Sequence, residues 1–172
     1  NQALALLKPL LEDRGVLKIG QNIKYDMSVL AREPYDINIA PIDDTMLMSF
    51  VLDAGRGNHG MDVLAQQHLG IHPIPYKEVV GTGKKQISFD QVPLTTACEY
   101  AAEDADVTLR LFNVFNSRLV SERMVSVYQT LERPLAVVLS KMESAGIKVD
   151  QNVLASLSED FAQRIEALSA EI

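Results

Sequence analysis

"VLKIGQNIKYDMSVLARE", residues 16–33, carries the fold decision. Its opening "VLKIG" (16–20) is a short apolar run of strand length and reads as a buried β-strand. Asn22 is placed to cap a helix through "KYDMSVLARE", which must end before Pro34. A strand passing straight into a helix is α/β grammar, and sites in such proteins assemble at that end of the sheet. Upstream, "QALALLKPLLEDRG" has helical periodicity closed by Gly15, with Pro9 perturbing its middle. Downstream, "INIAPI" (37–42) reads as a second strand, and Asp43, Asp44 and Thr45 offer caps for a helix in "MLMSFVLDA".

The pattern then turns helical. "GRGNHG" (55–60) is a glycine-rich loop, and "MDVLAQQHLG" a helix closed by Gly70. Residues 71–89 form a long irregular connection with prolines, glycines and the pair Lys84 and Lys85. A helix runs from Leu94 to a break near Ser121. "AGIKVD" (145–150) reads as a turn with a short strand, followed by a last amphipathic helix. Two or three short strands are too few for a stable α/β sheet. The expected fold is thus either essentially helical or an α/β fold whose other strands lie upstream of Asn1. The chain opens in mid-pattern without an initiator Met, which points to a cut piece.

At 47% hydrophobic, the 172 residues can bury a real core. The net charge of −7, from 16 basic and 23 acidic residues, excludes nucleic-acid binding by bulk charge alone. A local basic patch or metal ions would have to offset the acids. Cys98 is the only cysteine, so there is no disulfide framework and the compartment reads as reducing. No run approaches membrane-spanning length, and no signal peptide is visible. His59, His68 and His72 have no zinc-like spacing with Cys98, and Met46, Met48 and Met61 read as core filler.

"YAAEDADVTLRL" (100–111) sets three carboxylates within four positions of a helix. With Tyr100 at 0° and about 100° per residue, Leu94, Cys98, Ala101, Ala105, Leu109, Phe112 and Leu119 share an arc from roughly 100° to 180°. That arc is the expected buried face. Glu99, Glu103, Asp106 and Arg110 fall on the opposite, solvent-facing arc, with Asp106 and Arg110 spaced as an i,i+4 pair. Asp104 stands just off the buried arc, on the same side as Tyr100. A half-desolvated carboxylate there needs a partner: a backbone or ionic neighbour on one reading, a metal beside a water-orienting phenol on the other. Asp26, in the first turn after strand 16–20, is the second candidate. Lys24 and Tyr25 could touch a phosphate, stack on a base, or be ordinary surface.

Four collinear blocks carry a resemblance: "GQNIKYD" (20–26), "DDTMLMSFVLDAGRGNHGMDVLA" (43–65), "GTGKKQISF" (81–89) and "YAAEDADVTLRL" (100–111). Together they resemble the 3′→5′ proofreading exonuclease domain of the bacterial DNA polymerase I family, of the DEDD type with a tyrosine in its third motif. "LERPLAVVLSKMESAGIKVD" (131–150) resembles the start of the adjoining polymerase domain, where the thumb begins. The resemblance implies an RNase H-like fold, with residues 1–120 the later two-thirds of the exonuclease domain and residues 121–172 the first thumb helices. It implies a site with two divalent metals, Mg²⁺, Mn²⁺ or Zn²⁺, that hydrolyses DNA from its single-stranded 3′ end. It further implies a primer–template duplex at the thumb, template-directed DNA synthesis by the parent protein, and a bacterial cytoplasmic location.

Carried over residue by residue, Asp26 looks like the second-motif carboxylate, Asp104 like the third-motif metal ligand and Tyr100 like the hydroxyl that positions water. Gln21, Asn22 and Tyr25 resemble residues that hold the 3′-terminal nucleotides, and Tyr76 falls where the family sets an aromatic against the single strand. Lys84 and Lys85 approach a phosphate backbone or form a surface loop. Asn58 stands where the family has arginine beside the histidine, and Arg56 is the candidate replacement.

The family's first motif, Asp-x-Glu on a strand, occurs nowhere in residues 1–172. Hard cations need several oxygen ligands, so metals are expected to be held weakly or not at all by this chain, which is expected to be inactive alone. Strand 16–20 would lose its neighbour and offer an edge for self-association. Two other readings stand beside this one. A ribonuclease D-like exonuclease shares the Tyr-x-x-x-Asp chemistry but lacks the segment from Leu131 onward. A vestigial structural domain would not need Asp26, Tyr100 and Asp104.

Overall fold

A computed structural model describes residues 2–55 and 57–171. They divide into two compact units, Asn1–Lys141 and Met142–Ile172. In the first unit, α1 (Gln2–Glu12) leads into β1 (Lys18–Gly20), α2 (Ile23–Leu30), β2 (Ile42–Asp44) and α3 (Thr45–Asp53). The two strands pair in parallel, Lys18 against Ile42 and Gly20 against Asp44. The second strand thus begins where "INIAPI" ends, and residues 37–41 are irregular. Ile37 and Ile39 are nonetheless buried, in a cluster with Ile23, Met27 and Ile42. Their apolar alternation reports burial against α2, and the Ile37 N–H donates to the Leu30 carbonyl (2.9 Å) at the end of that helix.

The helix α2 starts differently from expectation. Asn22 adopts the left-handed conformation (φ 59°) and its side chain makes no capping bond. Asp44, from the end of β2, caps the helix instead. Its carboxylate accepts from the N–H groups of Asn22 and Ile23, both at 3.0 Å, and from Met46 (2.9 Å) and Leu47 (3.4 Å) at the start of α3. One buried side chain therefore satisfies the orphan donors of two helices.

The larger core lies between α3, α4 (Met61–Leu69) and α6 (Leu94–Ser121), with α5 (Tyr76–Val80) in the connection between the last two. Met48, Leu64, Ala65, Val107, Leu111, Phe115, Leu119 and Tyr128 fill it. Of the stripe expected on α6, Leu119 is buried and Phe112 packs partly against the core, while the rest of the stripe is not the buried face. Leu94 and Leu109 are 85% and 51% exposed, and Cys98, Ala101 and Ala105 are exposed too. The buried positions Val107, Thr108, Leu111, Phe115 and Leu119 fall within about 60° of Asp104 on the helical wheel. Burial gains scale with apolar area, so Val, Leu and Phe side chains outweigh a stripe padded with alanine and cysteine. Asp104 consequently lies on the midline of the buried face.

After α6, the short helix α7 (Val125–Val127) passes through a π-helical turn (Tyr128–Glu132) into α8 (Arg133–Ala145). Tyr128 ties this segment to β2: its hydroxyl donates to Asp43 (2.9 Å) and accepts from the Asp44 N–H (2.9 Å). Burial pushes its ionisation far upward, which keeps the donor in place. Arg133 closes the network on Asp43 at 3.1 Å. In the second unit, residues 146–150 form no strand, and Asp150 caps α9 (Gln151–Ala170) through the N–H groups of Asn152 and Val153. Among the described residues, no helix is long and apolar enough to cross a membrane.

Candidate active site

A cleft of about 560 Å³ opens between β1, α2, α4 and α6, lined by Gly20, Gln21, Asp26, Met61, Asp104 and Thr108. Sequence order scatters these residues over some 90 positions. The strand–turn–helix at 18–30 and the buried stripe of α6 bring the two carboxylates to one cleft. Asp26 reaches solvent at its mouth, yet burial of the carboxyl raises its pKa, backbone hydrogen bonding opposes the rise and nearby Asp44 adds to it. Asp104 is the less solvent-exposed of the two. Its Oδ1 is buried with no hydrogen-bond partner. Burial raises its pKa, a hydrogen bond with Tyr100 lowers it, and the charges of Asp62 and Glu103 raise it. A buried carboxylate oxygen without a donor is costly, and a bound cation is one partner that would meet it.

Tyr100 sits one turn before Asp104. Burial and the Asp104 charge push its phenol up to about 12, so it stays protonated at neutral pH. Asp62, in the first turn of α4, adds negative potential to both groups; its position on a different helix hid it from a linear reading. Glu103 is also corrected. It is half-buried and accepts the Ile74 N–H at 2.6 Å, so it fastens the connecting loop to α6 where a solvated acid was expected. Asp106 and Arg110 do pair at 2.8 Å on the exposed face.

The remaining candidates disperse around this cleft. Both ends of the Gln21 amide are engaged, its nitrogen donating to the His59 carbonyl (2.9 Å) and its oxygen accepting from Thr45. Tyr25 is 67% exposed on α2. Asn22 lies at the junction of β1 and α2, and Lys84 and Lys85 form an exposed 3₁₀ turn. Tyr76 opens α5, with its ring 6.0 Å from that of Tyr100. Arg56 lies outside the described residues.

Hard oxygen donors and an orphaned carboxylate oxygen fit a divalent cation in kind. They fall short in number, since among the described residues no three His, Cys, Asp or Glu side chains cluster as a metal site.

A family model described as 3′-5′ exonuclease matches residues 1–120. The chain belongs to this 3′→5′ exonuclease family. It is 54% identical to the DNA polymerase I of Rhizobium leguminosarum across 100% of this chain and 17% of that protein. With the DNA polymerase I of Pseudomonas aeruginosa it shares 42% identity, over 99% of this chain and 19% of the relative. The chain thus spans less than a fifth of these relatives. Among solved structures, Brucella melitensis NrnC matches with a TM-score of 0.63 at 24% identity, over 83% of this chain and 66% of that one, which is a likeness of fold. The exonuclease chain's compact unit runs on past the family match, to Lys141, because Tyr128 and Ala136 are buried within it.

Proposed function

We propose that this chain is the 3′→5′ exonuclease part of a bacterial DNA polymerase I, with an RNase H-like fold, working on single-stranded 3′ ends of DNA. The observation that carries the reading is Asp104: a carboxylate on the midline of a core-facing stripe, with Oδ1 unpartnered, opening onto the cleft that Asp26 also lines. In this reading Asp26 and Asp104 are metal ligands. A divalent cation held by them together with further oxygen ligands would supply charge neutralisation at the scissile phosphate and lower the pKa of a bound water. Tyr100, protonated at neutral pH, holds and orients the attacking water and is not itself a base. Tyr76, 49% exposed, offers a face to a base, and such stacking contributes roughly 1–3 kcal/mol. Gln21 steadies the cleft through His59 and Thr45. Asn22, Tyr25, Lys84 and Lys85, and Arg56 beyond the described residues, serve the bound strand. Residues 121–172 are read as the start of a thumb that meets primer–template duplex, with residues up to Lys141 packed in the same compact unit as the exonuclease part, and the whole protein synthesises DNA in the cytoplasm.

Two carboxylates are too few to hold two cations, and no Asp-x-Glu occurs in the sequence to complete them. The purified 172-residue chain is therefore expected to bind Mg²⁺ or Mn²⁺ weakly and to trim single-stranded DNA little or not at all. Robust metal-dependent trimming by the chain alone would sink that expectation. In the complete polymerase, Asp104→Asn is expected to cut exonuclease activity by more than about 100-fold while leaving synthesis intact, since even outer-shell partners of metal ligands are worth 10–100-fold. Unchanged 3′ trimming by that variant would refute the site.

A further inference from the structure

Three aromatic rings meet beside the carboxylates. Tyr76 and Phe89 stack with centroids 6.1 Å apart and planes within 22°. Tyr100 stands tilted against both, 6.0 Å from Tyr76 at 59° and 5.9 Å from Phe89 at 62°. All three separations lie in the range where aromatic pairs attract through their quadrupoles. The loop bearing the first two rings is built as a support. Val80, at the end of α5, and Val92, three residues after Phe89, are buried, 2% and 7% exposed. The Ile87 N–H donates to the Val80 carbonyl and the Gly81 N–H to the Lys77 carbonyl, both at 2.9 Å. Glu103 fixes the entry to the loop at Ile74. A cluster serving stability alone would bury its rings, whereas Tyr76 and Phe89 remain 49% and 38% exposed.

We propose that Phe89 is a positioning residue: packed against both Tyr76 and Tyr100, it sets the Tyr100 ring in register with a base stacked on the Tyr76–Phe89 pair. The inference rests on the exonuclease reading and deepens it. Tyr76 offers one face to the nucleotide and stacks the other on Phe89, so the Tyr100 ring takes its second support from Phe89. Phe89, with no hydroxyl to satisfy, packs on both. A seated 3′ base then reaches the hydroxyl beside Asp104 through two ring contacts, with no backbone movement required.

The test uses the whole chain labelled with fluorotyrosine, read by fluorine NMR, with Tyr76→Phe and Tyr100→Phe assigning the two signals. Without DNA, Phe89→Ala is expected to move the Tyr100 signal and Phe89→Tyr to restore it; a Tyr100 signal indifferent to Phe89→Ala overturns the proposal. With excess single-stranded oligo(dT), both signals are expected to shift in the wild type. In Phe89→Ala the Tyr76 shift is retained and the Tyr100 shift lost; survival of the Tyr100 shift also overturns the coupling. Phe89→Leu keeps the apolar bulk if the alanine variant unfolds, and is expected to lose the same DNA-dependent Tyr100 shift. Oligo(dT) that moves neither signal in the wild type defeats the nucleic-acid reading and the coupling with it. That failure is distinguishable, because the DNA-free comparison does not depend on it.

Discussion

Asp44 sits where two helices begin, and four backbone N–H groups converge on its carboxylate. Burial raises its pKa, and those four donors oppose the rise. Asp44→Ala is expected to cost about 1–4 kcal/mol in urea unfolding, two caps at roughly 0.5–2 each, with Asp44→Asn in between. A loss below about 0.5 kcal/mol would show that the caps are redundant. His68 supplies the pH counterpart. Burial beside Phe115, whose ring centroid is 5.0 Å away, lowers its pKa below 6.5, and the Arg118 charge adds to the effect. A depressed histidine stabilises the fold above its unfolded pKa and loses that contribution as pH falls through the folded value. Melting temperature should therefore drop on acidification below pH 6.5, and His68→Gln should flatten that slope. Equal slopes in both proteins would assign the pH dependence elsewhere. Of these residues, Asp44 was readable as a cap for the helix that follows it. Its second helix was not, because that pairing needs β1 and β2 side by side.

At the scale of elements, the junction of β1 and α2 is the tightest point near the cleft. A Cβ on Gly20 would come within 2.9 Å of the Ile23 Cβ, which is close to the main chain and has little freedom to yield. Gly20→Ala is expected to cost about 1–3 kcal/mol as overpacking and to displace the start of α2, and Asp26 with it. A stability change near zero would mean the helix shifts freely. The helix α6 shows how far periodicity reaches. Its extent, Leu94 to Ser121, and its exposed Asp106–Arg110 pair follow from sequence. The choice of buried face did not follow from the angular arc alone, because two apolar arcs overlap on this helix and the one with more Val, Leu and Phe area packs against α3 and α4. The consequence is functional, since the selected arc carries Asp104 inward.

Among the described residues the first unit holds one sheet of two strands, and sheets this small leave edges unpaired. Self-association through β1 is expected, with the mass from light scattering rising across micromolar concentrations. A strictly monomeric mass would argue that side chains already shield that edge. Composition, the strand–turn–helix at 18–30, the Asp44 cap of α3 and the order of the four family blocks were determined by sequence alone, because they rest on local period, turn chemistry and residue identity. Tertiary structure decided what depends on distance: Asp26 and Asp104 on one cleft, Glu103 as a loop fastener, Asp62 within electrostatic reach of Tyr100, and Phe89 against Tyr76 and Tyr100. The physical reason is that burial and ring packing are summed over neighbours remote in sequence, and one dimension of sequence does not fix which neighbours those are.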